Sequence, residues 1–142
     1  MIERRENMKD SHPEYITKEA VESLIKKLNL PGLDAYSQDW EFEAADPLRV
    51  DEFISSYENN TLNKEEKFAL MALIISSFND ALEKGKANNQ SWNKIRNYLI
   101  NEYYIHKNTI LYWALDDENI EDCFAVTQFM RDIIKEFGEK SK

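Results

Sequence analysis

The longest apolar stretch of the chain lies near its middle, between Asn63 and Gly85. Apolar residues recur there at alternating spacings of three and four, the period that places side chains on one face of a helix. A second apolar row widens this face until little polar surface remains. The pattern predicts a central helix over residues 63–84 that is buried on more than one side. The two rows are Phe68, Met71, Ile75, Phe78 and Leu82, and Leu70, Leu73, Ile74 and Ala81.

Both ends of this segment carry helix-boundary signals. Asn63 is a good N-cap residue, and Glu66 three positions later fits a loose capping box. Gly85 stands where a helix often ends in a left-handed residue. The boundaries of the central helix are therefore predicted independently of its apolar pattern.

The flanking segments predict amphipathic helices. One opens at Thr17 and ends near residues 30–32, and a second runs from Pro47 to about Tyr57 with Asp46 as its cap. A helix with Trp92, Ile95, Leu99 and Tyr103 at helical spacing follows, and a break is predicted at 108–109. The last helix runs from Phe124 to Phe137 and closes at Gly138.

Residues 33–45 alternate acidic and aromatic residues around Trp40 and Phe42. A single short strand without a partner is not stable alone. This segment is therefore predicted to be an ordered loop across the helices, with its aromatic side chains inside and its carboxylates outside.

These elements predict an all-α fold, a compact single-domain bundle of about five or six helices around a buried central helix. The domain is expected over residues 15–138, with polar tails at 1–14 and 139–142. A chain of 142 residues suits one domain. Its three glycines and three prolines fit a helical body with few tight turns.

Composition narrows the functional classes. The single cysteine, Cys123, excludes an internal disulfide and a cysteine-based zinc cluster, and it is interpreted as a small buried hydrophobe. The N-terminus lacks the apolar run of a secretory signal, and no window approaches the roughly 18 apolar residues of a membrane span. The sequence therefore predicts a soluble, cytoplasmic protein that does not enter a membrane.

The net charge of −9 is concentrated in two blocks. Residues 34–58 carry a net charge of −7 and residues 116–122 a net charge of −5, so the rest of the chain is near +3. Such blocks repel a phosphate backbone, which argues against nucleic-acid binding, and they attract a basic protein.

A search for chemical motifs predicts no catalytic residue, metal site or cofactor. Glu102 and His106 stand four apart with no second pair, so the pattern of a di-iron bundle is absent. A calcium loop from Asp117 fails at Asp122, where the turn needs glycine. His106 is expected to take part in aromatic packing or a capping hydrogen bond.

The acidic blocks supply the candidate partner-binding residues, because carboxylates flank Trp40 in one block and follow Trp113 in the other. An aromatic anchor ringed by charge is typical of contact surfaces. The competing interpretation places both tryptophans in the core, with the charges only maintaining solubility. The candidates are Asp39, Trp40, Glu41, Glu43, Asp116, Asp117 and Glu118.

The segments Asp39–Pro47, Glu66–Met71 and Tyr112–Trp113 resemble those of small, acidic, uncharacterised bacterial proteins. Some proteins of that kind resemble immunity proteins that neutralise toxin nucleases. The resemblance covers about the middle two-thirds of the chain and contains no catalytic motif. It assigns no functional residue.

The leading hypothesis is a non-enzymatic, acidic protein-binding module, of the immunity type, that inhibits a basic partner such as a toxin nuclease. One alternative is a small-molecule- or metal-binding helical protein, with or without enzymatic activity, suggested by the carboxylate-rich surface near His106 and the aromatic segment after it. Another is a structural subunit of a homo-oligomer, in which a second copy completes the apolar central helix.

Overall fold

The computed structural model describes residues 13–30, 39–115 and 117–138, and within these ranges the fold is all-α, as predicted. The single-turn helix α2 is the shortest of seven α-helices. These are α1 (Lys18–Leu28), α2 (Trp40–Glu43), α3 (Val50–Asn59), α4 (Lys64–Glu83), α5 (Asn89–Asn101), α6 (Tyr103–Ala114) and α7 (Thr127–Ile133). Two 3₁₀ turns, Pro47–Arg49 and Ile120–Asp122, precede α3 and α7, and a π-helical turn, Ile134–Gly138, continues α7.

Helix α4 is the buried centre of the bundle, and every residue in 68–79 is buried. Helices α1, α2, α3 and α6 contact it directly, while α5 packs on α3 and α6, and α7 packs on α6. The prediction of a central helix wrapped by amphipathic neighbours is confirmed. The apolar faces of α1, α3 and α6 reach this core through Leu24, Phe53 and Ile110.

The predicted caps of α4 are also confirmed. The backbone N–H of Glu66 donates to Asn63 Oδ1 (2.7 Å), and the Asn63 N–H donates to Glu66 Oε1 (2.9 Å), which completes a capping box. Gly85 has a φ of 69°, and the N–H of Lys86 donates to the Ala81 carbonyl (2.8 Å). This is the hydrogen-bond pattern of a Schellman motif.

The predicted break at 108–109 was wrong, because the chain breaks at Glu102 instead. Glu102 lies between α5 and α6 with φ −118° and ψ 42°. Its carboxylate bonds Tyr57 and Lys67, so the break brings this side chain onto α3 and α4. Asn108 stays helical inside α6 and donates to the Pro13 carbonyl (2.9 Å).

The predicted loop over 33–45 is corrected in its described part, since residues 40–43 form helix α2. Helical spacing turns Trp40 and Ala44 toward the core, where both are buried. Phe42 points outward and is 37% exposed, so the two aromatic residues lie on opposite sides. Glu41 is half-buried, contrary to the expectation that all the carboxylates lie outside.

Two further expectations near the C-terminus were wrong. Phe124 precedes the last helix, which begins at Thr127. Cys123 is half-buried, and its thiol donates to the Asn119 carbonyl (3.2 Å), so it is no core hydrophobe. None of the helices in the described ranges combines the length and apolarity needed to cross a bilayer. Most of the expected N-terminal tail and residues 139–142 lie outside these ranges.

Candidate functional site: an acidic aromatic surface

Four aromatic side chains from three parts of the chain meet at one end of α6. We call Phe42, Tyr112, Trp113 and Phe124 the aromatic cluster. The ring centroids of Trp113 and Phe124 are 4.5 Å apart, and Phe42 lies 5.5 Å from Trp113 and 6.3 Å from Phe124. Tyr112 completes the cluster, 5.6 Å from Trp113 and 6.5 Å from Phe124.

The cluster is buried at its base and open at its top. Trp113 is 1% exposed, whereas Tyr112 is 50% exposed and Phe42 is 37% exposed. Aromatic rings that pack on a rigid base lose little side-chain freedom when a partner covers them. A half-exposed cluster of this kind is typical of a contact surface.

The part of the first acidic block that lies on and next to α2 borders the cluster. Asp39 and Glu43 are exposed, and Glu41 is half-buried. The pKa of Tyr112 is raised, first by burial and then by the negative charges of Glu41 and Asp39. These two carboxylates are therefore close enough to the Tyr112 hydroxyl to disfavour its ionisation. The pKa of Glu41 is itself raised, mainly by burial and also by Asp39.

The second acidic block is the turn between α6 and α7, and Asp117 and Glu118 are exposed in it. The turn leaves the chain just after Trp113 and returns at Phe124, so the contact between these two rings closes its base. Asp116 lies outside the described residues. The turn therefore borders the same aromatic cluster as α2 does.

Arg131 of α7 fixes the shape of this turn. Its guanidinium donates to the carbonyls of Ala114 (2.7 Å) and Glu118 (2.8 Å) and also to the carbonyl of Leu115. Leu115 has a φ of 46° and ends α6 in the left-handed region. A cation at the carboxyl end of a helix is also favoured by the helix dipole.

The fold therefore brings most of the predicted partner-binding residues together, with one correction. Trp40 is 1% exposed, and its side chain is not available to a partner in this conformation. The exposed aromatic positions are Phe42 and Tyr112, which sequence reasoning did not select. A helical reading of residues 40–44 would have placed Phe42 outward. We call the aromatic cluster, together with Asp39, Glu41, Glu43, Asp117 and Glu118, the acidic aromatic surface.

A second group of polar side chains lies at the amino-terminal end of α6, where it meets α3 and α4. Tyr57 Oη lies 2.5 Å from Glu102 Oε1 and 2.8 Å from His106 Nε2, and Lys67 Nζ lies 2.5 Å from Glu102 Oε2. We call these four residues the polar network. Sequence analysis found the Glu102 and His106 spacing but missed Tyr57 and Lys67, which sit on other helices.

The proton positions in the polar network follow from its geometry. The Glu102 carboxylate only accepts, so the Tyr57 hydroxyl donates to it and accepts from His106 Nε2–H. His106 Nδ1 is then a buried lone pair without a hydrogen-bond partner among the described residues. Burial lowers the pKa of His106 to about 4. His106 has no exposed surface, so no substrate can touch it in this conformation.

Burial acts to raise the pKa of Glu102, but the hydrogen bonds from Lys67 and Tyr57 outweigh it and lower that pKa. The network therefore joins α3, α4 and α6 through an ionised carboxylate. In the part of the chain that the structure describes, no three His, Cys, Asp or Glu side chains are grouped to hold a metal ion.

Comparison of the chain with protein-family models, with curated proteins and with solved structures finds no match. The candidate site rests on the geometry of this chain alone.

Proposed function

We propose that this protein is a non-enzymatic binding module, and that its acidic aromatic surface docks a basic partner protein. One observation carries the proposal. The carboxylates of α2 and those of the turn between α6 and α7 are more than 70 residues apart in sequence, yet both segments border one half-exposed aromatic cluster. Carboxylates that served only to keep the protein soluble would not need to lie next to exposed aromatic side chains.

Charge and aromatic area have separate roles in this proposal. Phe42 and Tyr112 supply the apolar area that a partner buries, which gives most of the affinity. Asp39, Glu43, Asp117 and Glu118 are exposed at the rim, where charges chiefly raise the association rate and select the partner. Nucleic acid is disfavoured as the partner because its phosphates would meet these carboxylates.

The specific form that we infer is an immunity-type inhibitor of a toxin nuclease in the bacterial cytoplasm. A nuclease must present a basic surface to hold its phosphate substrate. An acidic protein that covers this surface blocks substrate entry without any chemistry of its own. The segments around α2, α4 and Tyr112 resemble those of small, acidic bacterial proteins, some of which are similar to immunity proteins, and this resemblance supports the same inference.

The homo-oligomer alternative began with the apolar central helix. One chain is enough to bury that helix, since Phe68, Met71 and Ile75 are all within the core. The small-molecule alternative began near His106, which is sealed from solvent. Neither observation favours the homo-oligomer or the small-molecule function over protein binding. Both alternative functions stay predictions.

The test begins from the genes that flank the coding sequence. The basic proteins that they encode are purified, assayed for nuclease activity, and titrated with this protein at low and high salt. We expect stoichiometric inhibition of a nuclease, with an association rate that falls as salt rises. Full nuclease activity at saturating protein would contradict the immunity-type role, and no binding to any basic neighbour at low salt would contradict the whole proposal.

A further inference from the structure

A cavity of about 480 Å³ opens beside the acidic aromatic surface, between the segment before α1 and helices α2, α4 and α6. Five aromatic side chains line it, together with apolar residues such as Val21 and Ala72. Two carboxylates, Glu14 and Glu41, also line it. The aromatic side chains are Tyr15, Trp40, Phe68, Tyr112 and Trp113.

The charge of the cavity is unbalanced. Glu41 is half-buried, and burial together with Asp39 raises its pKa, while no cation within the described ranges acts on it. None of the Lys, Arg or His side chains in those ranges lines the cavity. A partly desolvated carboxylate without a cation is destabilised, and a cation that enters the cavity removes that penalty.

We propose that the cavity receives one arginine side chain of the basic partner, an assignment that rests on the proposed function. Aromatic walls with carboxylates at the rim suit a guanidinium, which is planar, stacks on rings and bonds a carboxylate through two N–H groups. A lysine ammonium is a compact, strongly hydrated point charge, so it cannot stack on the aromatic walls or bond a carboxylate through two parallel N–H groups. Tyr112 belongs both to the wall of the cavity and to the aromatic cluster, so the arginine and the surrounding surface form one interface.

The arginine site is tested with the full chain and a small probe, N-acetyl-arginine methylamide, at constant ionic strength. The tryptophans of the wall report binding through their fluorescence. We expect saturable binding of the arginine probe, no saturable binding of the neutral citrulline analogue, and at least about threefold weaker binding of the lysine analogue. Equal affinity for lysine or citrulline would overturn the arginine assignment.

Matched variants locate the site. Glu41→Gln is expected to weaken the arginine probe about tenfold, because it removes the half-buried charge. Glu83→Gln removes the same charge at an exposed position of α4 that does not line the cavity, and it should change the affinity less than twofold. Glu14→Gln, at an exposed position on the rim, should also weaken binding of the arginine probe. It replaces Glu41→Gln as the test variant if that protein fails to fold. An unchanged affinity in both cavity variants would contradict the proposal.

The two proposals fail separately. If a basic partner binds but the arginine probe does not, the cavity assignment falls and the docking surface stands. If the arginine probe binds with the expected variant pattern but no basic protein binds, the proposed function falls.

Discussion

The rings of Trp113 and Phe124 lie 4.5 Å apart, and this contact joins the two ends of the acidic turn. The turn is therefore closed by an apolar contact at its base. Thr127 reinforces this closure, because its hydroxyl donates to the Trp113 carbonyl (2.7 Å) and accepts from the Phe124 N–H (3.1 Å). The carboxylates of the turn are thus held beside the aromatic cluster.

Arg131 is predicted to be the main polar support of that turn. Arg131→Met removes the donors to the carbonyls of Ala114, Leu115 and Glu118, and we expect it to lower the free energy of unfolding by about 2 kcal/mol in urea titrations. Arg96→Met is the control, since within residues 13–30, 39–115 and 117–138 the Arg96 guanidinium bonds the exposed Glu136 and no other side chain. That change should cost less than about 1 kcal/mol. Equal effects of the two substitutions would contradict the role given to Arg131.

Tyr57→Phe tests the polar network. The substitution keeps the ring but leaves Glu102 and the buried His106 without the hydroxyl between them. The unfolding free energy should fall by about 1–3 kcal/mol. Tyr98→Phe removes a hydroxyl that bonds the exposed Glu58 and should cost less than about 1 kcal/mol. The prediction fails if Tyr57→Phe is as well tolerated as Tyr98→Phe.

The buried imidazole predicts a pH dependence with a definite sign. The pKa of His106 is lowered from 6.5 to about 4, so below pH 6.5 the unfolded chain binds a proton that the native state does not bind. Stability is then lost as the pH falls, at about 1.4 kcal/mol per pH unit.

His106→Gln removes this titration while His12 is kept in both proteins. Between pH 6.5 and pH 5, the wild type should lose about 2 kcal/mol more unfolding free energy than the variant. Urea titrations at several pH values measure the difference. If the difference between the two proteins does not change with pH, His106 is not buried as a neutral ring.

Substitution of Glu66 should destabilise the protein, whereas substitution of its neighbour Glu65 should have little effect. Glu66 is 6% exposed, and it accepts from the Asn63 N–H, from Lys27 (2.9 Å) and from the Ser23 hydroxyl. Glu66→Gln should lower the unfolding free energy by about 1–3 kcal/mol, because it removes the charge from these bonds. Glu65 is exposed, so Glu65→Gln should stay within about 0.5 kcal/mol of the wild type. Thermal unfolding ranks the two variants, and a reversed order would contradict the network around Glu66.

The sequence alone predicted the elements that local signals determine. Helix α4 was found because its caps at Asn63 and Gly85 agree with its apolar period. The acidic blocks were also found, because charge is read directly from composition. What was missed depends on tertiary contacts. Glu102 ends α5 through bonds to side chains that lie 35 and 45 residues earlier.

The orientation of residues 40–43 was missed for a different reason. Four residues fit a strand period and a helix period almost equally well, and the two periods send Phe42 to opposite sides. The helix was decided by the core, which buries Trp40 and Ala44 together. The cavity beside Glu41 follows from that choice, so no sequence pattern could have indicated it.

The most direct test of the account compares two variants that each lose four negative charges. The surface variant carries Asp39→Asn, Glu43→Gln, Asp117→Asn and Glu118→Gln, and the control variant carries Glu19→Gln, Glu65→Gln, Glu83→Gln and Asp132→Asn, all at exposed positions. Stopped-flow association with the purified basic partner is measured at low salt. We predict that the surface variant associates at least about tenfold more slowly than the wild type and the control less than about threefold more slowly. Equal slowing of both variants would mean that only net charge matters and would contradict a docking site at the acidic aromatic surface.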